Sequence, residues 1–259
     1  MTEIRTDEIG FGNLKLLQNP AEFCYGVDAV ILADFAASIC GGFDAAVDLG
    51  TGTGIVPFVL SHKAEKPDCR IIGLDFNEDM IGMAKESSCM NGLQERIRFF
   101  AGDVADLADC RETKSFIEDS IWQKALQNGG FDLVTSNPPY FAKGSGIISG
   151  AAGKYTARHE TTADLEAFIR AASRILRPRG QFFMVHRPSR LVDIFTTCRK
   201  YRLEPKTIRF VVPKKGQPPN IVLLHCVLGG GKELHYMQEL PIYDGCGKYS
   251  REIETIYER

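Results

Sequence analysis

Val47-Asp48-Leu49-Gly50-Thr51-Gly52-Thr53-Gly54 closes one apolar run and opens a helical one. Glycines at alternating positions let the backbone turn tightly and approach a ligand that lies across strand ends. The stretch therefore predicts a strand, a loop and a helix that together hold a nucleotide-like cofactor. It is not the dinucleotide fingerprint G-x-G-x-x-G, whose third glycine would fall on Ile55 counting from Gly50, or on Pro57 counting from Gly52.

Working outward, strand-like runs (Ala46–Leu49, Arg70–Asp75, Arg96–Ala101, Phe131–Ser136, Gln181–His186) alternate with helix-like ones (Ile55–Lys63, Glu78–Met90, Ser115–Gln127, Ala163–Leu176). Repeated β-α units predict a doubly wound, mostly parallel sheet with helices on both faces. Upstream, the run Leu14–Leu17 suggests a small hairpin. Val27–Cys40 carries Val27, Val30, Ile31, Phe35 and Ala36 at helical spacing. Residues 1–40 thus read as a hairpin and helix packed on a main domain over 41–259. Downstream, Thr207–Val212 and Ile221–Leu228 read as a hairpin-like pair at one sheet edge, and Tyr249–Arg259 as a short amphipathic tail helix. Phe141–Thr162 is a long Gly-rich connection of the kind that is usually functional.

The bulk numbers bound the class. A chain of 259 residues suits one large α/β domain, and 44% hydrophobic with 25% charged residues argues against extended disorder. No run approaches eighteen consecutive apolar residues, and Met1–Gly10 lacks an apolar signal core, so a cytoplasmic protein is expected. The eight cysteines are scattered, without a C-x-x-C pair, and predict neither a disulfide framework nor a metal site. The net charge of -2 conceals a segregation: Arg174–Lys215 holds twelve Lys/Arg against two Asp/Glu. Such a block suits a polyanion-binding face, or equally an ordinary solvated surface if the fold scatters it.

The glycine loop, written D-x-G-x-G-x-G, resembles motif I of class I methyltransferases. Its partners follow in order. Asp75 ends the next strand, where a carboxylate can accept from both ribose hydroxyls. Gly102-Asp103-Val104 follows the third strand, where Asp103 can accept from an adenine amine and Val104 can pack on the ring. Asp75 and Asp103 could also cap the helices that follow them. Asp48 suits orienting the loop or a water, and Asp28 suits either a place near the cofactor or the start of its helix. Gly50, Thr51, Gly52 and Gly54 complete the expected cofactor set.

After the fourth strand comes Asn137-Pro138-Pro139-Tyr140, which resembles motif IV of methyltransferases acting on planar amino or amide nitrogens. An adenine amine is a poor nucleophile because its lone pair is delocalised into the ring. A site for it must accept both N–H hydrogens and hold the nitrogen in line with the methyl donor. The Asn137 side-chain oxygen can take one hydrogen and the Pro138 carbonyl the other. The prolines fix φ and bias the preceding residue toward an extended conformation, so the acceptors stand ready. Pro139 closes the turn, and Tyr140 offers a flat face for the base.

Leu17-Gln18, Phe23 through Ala33, Asp48 to Gly54, Asn137 to Tyr140 and Arg158-His159-Glu160 together resemble the bacterial tRNA1(Val) adenine-N6 methyltransferase family, along nearly the whole chain. The resemblance implies a seven-stranded class I (Rossmann-like) fold, S-adenosyl-L-methionine as cofactor, and an adenosine beside the tRNA anticodon as target. The same tetrapeptide occurs in release-factor glutamine methyltransferases, and a guanine-N2 RNA methyltransferase shares the scaffold. An RNA-binding pseudoenzyme and a nicotinamide-dependent oxidoreductase are the readings from other classes; the intact tetrapeptide speaks against the first and the missing third glycine against the second. Expected RNA contacts are Arg158 on phosphate, with Glu160 bracing it or the base pocket, His159 stacking on a nucleotide, and Arg187, Arg190, Arg199, Lys200 and Arg202. A local Arg158/Glu160 pair anchoring the loop explains the first group equally well. Lys143 and Lys154 add possible phosphate contacts, and a monomer is expected.

Overall fold

A computed structural model describes residues 4–21, 24–109, 118–138 and 165–258. Its strands are β1 (Arg5–Gly10), β2 (Leu14–Gln18), β3 (Ala45–Leu49), β4 (Arg70–Asp75), β5 (Ile97–Ala101), β6 (Phe131–Ser136), β7 (Leu176–His186), β8 (Leu203–Lys214), β9 (Ile221–Leu228) and β10 (His235–Tyr243). Its helices are α1 (Val27–Cys40), α2 (Ile55–Lys63), α3 (Glu78–Met90), α4 (Val104–Asp109), α5 (Ser120–Gln127), α6 (Leu165–Ile175), α7 (Leu191–Lys200) and α8 (Arg251–Ile256).

β1 and β2 pair as the expected hairpin, and the other eight strands form one sheet in the order β10-β8-β9-β7-β6-β3-β4-β5. Pairing is parallel except for β9, which runs antiparallel to both β7 and β8. The chain winds from β3 outward through β4 to β5, then crosses back to β6 on the other flank. The switch point therefore lies between β3 and β6, where open α/β sheets bind their ligands.

Alternation along the strands builds two cores. Ala46, Ile71, Leu133, Phe183 and Val185 pack with α1, α2, α3 and α8. Val47, Leu49, Ile72, Val134, Phe182 and Met184 pack with α4, α5, α6 and α7. Each large apolar side chain buried this way contributes about 1.5 to 3 kcal/mol relative to exposure. α1 is buried over Ala29–Ala33 and Phe35–Ala37, and it ends at Gly41, whose N–H donates to the Ala37 carbonyl at 3.1 Å. The Asn77 side chain starts α3 by accepting from the Asp79 and Met80 amides, and Asp119 starts α5 by accepting from Ile121 and Trp122.

Two expectations change. The sheet has eight strands instead of seven, because β10 adds in parallel to β8. The β8–β9 pair is consequently not an edge: β10 covers one flank and β7 the other. β10 is only weakly patterned, with Leu240 and Ile242 its buried residues, and its ladder is irregular between Met237 and Leu240, with Pro241 opposite Val212.

Register decides what lies at the carboxyl edge. Leu49 is level with Leu74 on one side and Ser136 on the other, while Asp75 is level with Ala101. Gly50, Asp75 and Asn137 thus stand side by side, one residue beyond that row. The row continues from Ser136 through Met184, Leu224 and Ile208 to Tyr236. β8 and β10 run on to Lys214 and Tyr243, rising about 20 Å above the row as a wall on the flank beyond β7 and β9.

Candidate active site

The glycine loop is held from below. The Gly50 and Thr51 amides both donate to the Leu74 carbonyl, at 2.8 and 3.0 Å, and the Gly54 amide donates to the Thr51 carbonyl at 2.9 Å. Gly54 starts α2 with φ of 89°, and a Cβ there would stand 2.6 Å from the Phe99 ring. Both backbone conformation and space therefore require glycine. Gly73, which sequence reasoning missed, serves the same ring from β4: a Cβ there would meet Phe99 at 2.4 Å and Thr51 Oγ1 at 2.8 Å.

Asp75 is buried, yet both of its oxygens are engaged. Oδ2 accepts from the Gly52 amide at 2.8 Å and Oδ1 from the Asn77 amide at 3.0 Å. Burial pushes its carboxyl above the ordinary range, and these amides oppose the rise. Each oxygen retains acceptor capacity for a hydroxyl donor. Asp48 is also buried, with Oδ1 accepting from the Thr135 hydroxyl at 2.6 Å and Oδ2 completing no hydrogen bond. Burial pushes it up to about 6, tempered by Thr135 and Thr51. The Thr51 hydroxyl faces this carboxylate without reaching hydrogen-bond geometry. A buried acceptor left open at the loop is what a polar ligand group or a bridging water satisfies.

Asp103 Oδ1 accepts from the Ala105 amide at 2.8 Å, starting α4, and Val104 beside it is buried. Helix capping does not preclude the expected cofactor role, because the cap uses Oδ1 alone. Asp28 is half-buried in the first turn of α1, with Oδ1 accepting from the Ala29 amide at 3.0 Å.

Asn137 is half-buried and Pro138 buried at the end of β6. Their position is secured by Ser136, whose hydroxyl donates to the Leu49 carbonyl at 2.9 Å and so ties the ends of β6 and β3 together. That contact joins residues far apart in the chain and left no sequence signal. Pro139, Tyr140, Lys143, Lys154, Arg158, His159 and Glu160 lie outside the described residues.

The basic block does not form one face. Arg187 and Arg190 follow β7 at the carboxyl edge. α7 then carries the chain back, so Arg199, Lys200 and Arg202 lie at the opposite edge, where β8 begins. Three of the five are also matched to carboxylates: Arg190 to Asp193 at 2.8 Å, Arg199 to Glu204 at 3.2 Å, and Lys200 to Glu166 at 2.7 Å. A cleft of about 530 Å³ beside Phe195, Arg199, Glu204 and Leu234 sits at that opposite edge, away from the glycine loop.

A doubly wound sheet, a glycine loop at its switch point, an acidic residue closing the neighbouring strand and an Asn-Pro pair beside them define a class I methyltransferase. The chain belongs to the methyltransferase domain family, whose model matches residues 44–239. Among curated relatives, the tRNA1(Val) (adenine(37)-N6)-methyltransferase of Porphyromonas gingivalis is 28% identical, covering 81% of this chain and 79% of the relative. A solved structure of a predicted O-methyltransferase from Agrobacterium tumefaciens superposes with a TM-score of 0.65 at 21% identity, covering 89% of this chain and 95% of that one. A 16S rRNA N2 methyltransferase of T. thermophilus, solved with AdoMet and guanosine, gives 0.55 at 16% identity, covering 87% of this chain and 50% of that one.

Proposed function

We propose that the protein transfers a methyl group from S-adenosylmethionine to the exocyclic N6 amine of an adenine in tRNA, beside the anticodon as the resemblance implies, its relatives being named for adenine 37. The observation that carries the reading is the placement of Asn137 and Pro138 next to Gly50 and Asp75 on one sheet edge.

Gly50 to Gly54 form the cradle, Asp75 receives the ribose hydroxyls, and Asp103 with Val104 holds the adenine ring. Asp48 and Asp28 serve the polar end, where Asp48 has an acceptor to spare. Bound there, S-adenosylmethionine supplies an electrophilic sulfonium methyl. Asn137 accepts one N–H of the target amine through its side-chain oxygen, and Pro138 accepts the other through its carbonyl. The two acceptors fix the nitrogen's approach and enrich its lone pair, so catalysis is chiefly positioning. No residue of shifted pKa has to remove a proton beforehand, because the amine loses it after the new bond forms. Tyr140, by resemblance, stacks on the extruded base.

The test is transfer of labelled methyl from S-adenosylmethionine to unmodified total tRNA, followed by nucleoside analysis. N6-methyladenosine is the expected product. Label recovered as N2-methylguanosine, or in a protein glutamine, would replace the substrate.

A further inference from the structure

Tyr243, Tyr249 and Tyr257 form a ladder at the top of the wall. The rings of Tyr243 and Tyr249 are 5.5 Å apart and within 8° of parallel, and those of Tyr249 and Tyr257 are 6.1 Å apart and within 9°. Tyr257 is buried and continues inward to Phe11 at 6.0 Å. The stack is therefore anchored at one end in the core and ends outside at Tyr243, which is 39% exposed.

The backbone carrying the outer ring is locked. Tyr243 and Tyr249 bridge as antiparallel partners. The Asp244 amide donates to the Lys248 carbonyl at 2.8 Å, and Asp244 Oδ1 accepts from the Cys246 and Lys248 amides at 2.8 and 3.0 Å. Packing a tyrosine face outward on a rigid loop sacrifices apolar burial, and an aromatic ligand recovers it.

The surrounding charge identifies the ligand class. Lys214 is level with Tyr243 on the neighbouring strand, and neighbours in register project to the same side of a sheet. Lys214, Lys215 and Lys248 are all exposed, and none is paired with a carboxylate among the described residues. In this they differ from Arg190, Arg199 and Lys200, which are already neutralised. Uncommitted cations beside an exposed flat ring suit a polymer of phosphates and bases.

We infer that the outer face of Tyr243, flanked by Lys214, Lys215 and Lys248, is a stacking platform for a nucleotide of the RNA substrate outside the target position. The platform rests on the RNA reading above and adds a second contact surface to it. Its height of about 20 Å above the Ser136 row is the span of several nucleotides, so it engages a folded RNA and not a free nucleoside.

The experiment compares wild type, Tyr243→Ala, Tyr243→Phe and the triple variant Lys214→Glu, Lys215→Glu, Lys248→Glu for binding of unmodified tRNA across a salt series. S-adenosylhomocysteine binding serves as the control for fold. Tyr243→Ala should bind tRNA about tenfold more weakly. Tyr243→Phe should stay close to wild type, because it keeps the ring. The triple variant should show a shallower dependence on salt. All variants should bind S-adenosylhomocysteine normally. A Tyr243→Ala protein that binds tRNA as tightly as wild type overturns the platform while leaving the methylation reading intact. A wild-type protein that neither binds nor methylates tRNA overturns both.

Discussion

The Asp75 carboxylate accepts a 2.8 Å hydrogen bond from the Gly52 amide, so the acid that closes β4 also holds the loop that follows β3. Acid and glycine loop are one mechanical unit, and a change at either is felt at both. Asp75→Ala removes the loop's anchor together with two acceptors. We expect S-adenosylmethionine affinity to fall by one to two orders of magnitude, equivalent to about 1.4 to 2.7 kcal/mol. Calorimetric titration of the folded variant checks this, and unchanged affinity would remove Asp75 from the site.

Asn137→Ala separates binding from chemistry. Asn137 sits beside the cofactor loop but is assigned to the amine, so cofactor affinity should persist while turnover drops at least about tenfold. Single-turnover methylation at saturating cofactor is the measurement, and full activity would refute the proposed role of the side chain.

Asp48 makes a pH prediction whose sign follows from its raised carboxyl, up to about 6. An unfolded chain ionises this group near pH 4, well before the folded protein does. Its contribution to stability is therefore complete below pH 4 and is lost as pH rises through about 6. Asp48→Asn should stabilise the fold at pH 8 by on the order of 2 to 3 kcal/mol, seen as a higher melting temperature, and leave it nearly unchanged at pH 4. Thermal scans at both values test this. An equal gain at the two would mean that packing, not ionisation, accounts for the effect.

Gly73 and Phe99 should behave as a coupled pair. A Cβ on Gly73 stands 2.4 Å from the ring, so Gly73→Ala forces Phe99 against the underside of the loop, at about 1 to 3 kcal/mol. Phe99→Leu alone loses packing, but in the Gly73→Ala background it relieves the clash. A double-mutant cycle by chemical denaturation should give a non-zero coupling of at least 0.5 kcal/mol in order of magnitude. Simple additivity would show that the ring moves freely.

Much of the fold was legible because its signals are local. α2 and α3 occupy the residues read for them, Ile55–Lys63 and Glu78–Met90. A glycine marks the start of the first and an Asn cap the start of the second, each next to the element it defines. The positions of Asp75 and Asn137 at the sheet edge were legible for the same reason, since the first closes the apolar strand β4 and the second directly follows β6. β10 was not, because an edge strand with two buried residues carries little alternation. Gly73 and Ser136 were missed because their meaning resides in Phe99 and Leu49, on other strands. Whether the basic block forms one face was not legible for the converse reason: residues close in the chain are parted by the α7 crossover.

The irregular ladder and Pro241 of β10 have an effect beyond the site. A free strand flank presents a row of unpaired amides and carbonyls on which a second chain can template itself. Here the exposed flank is offset after Met237 and lacks an N–H at Pro241, while the far flank, β5, is only five residues long. Neither end of the sheet offers a straight, fully equipped ribbon. The segment after β10 also closes the end of its flank: the Ser250 amide donates to the Ile242 carbonyl at 2.8 Å, the Ser250 hydroxyl to the Pro241 carbonyl at 2.7 Å, and Tyr249 bridges Tyr243, so little of this flank is left to template a second chain.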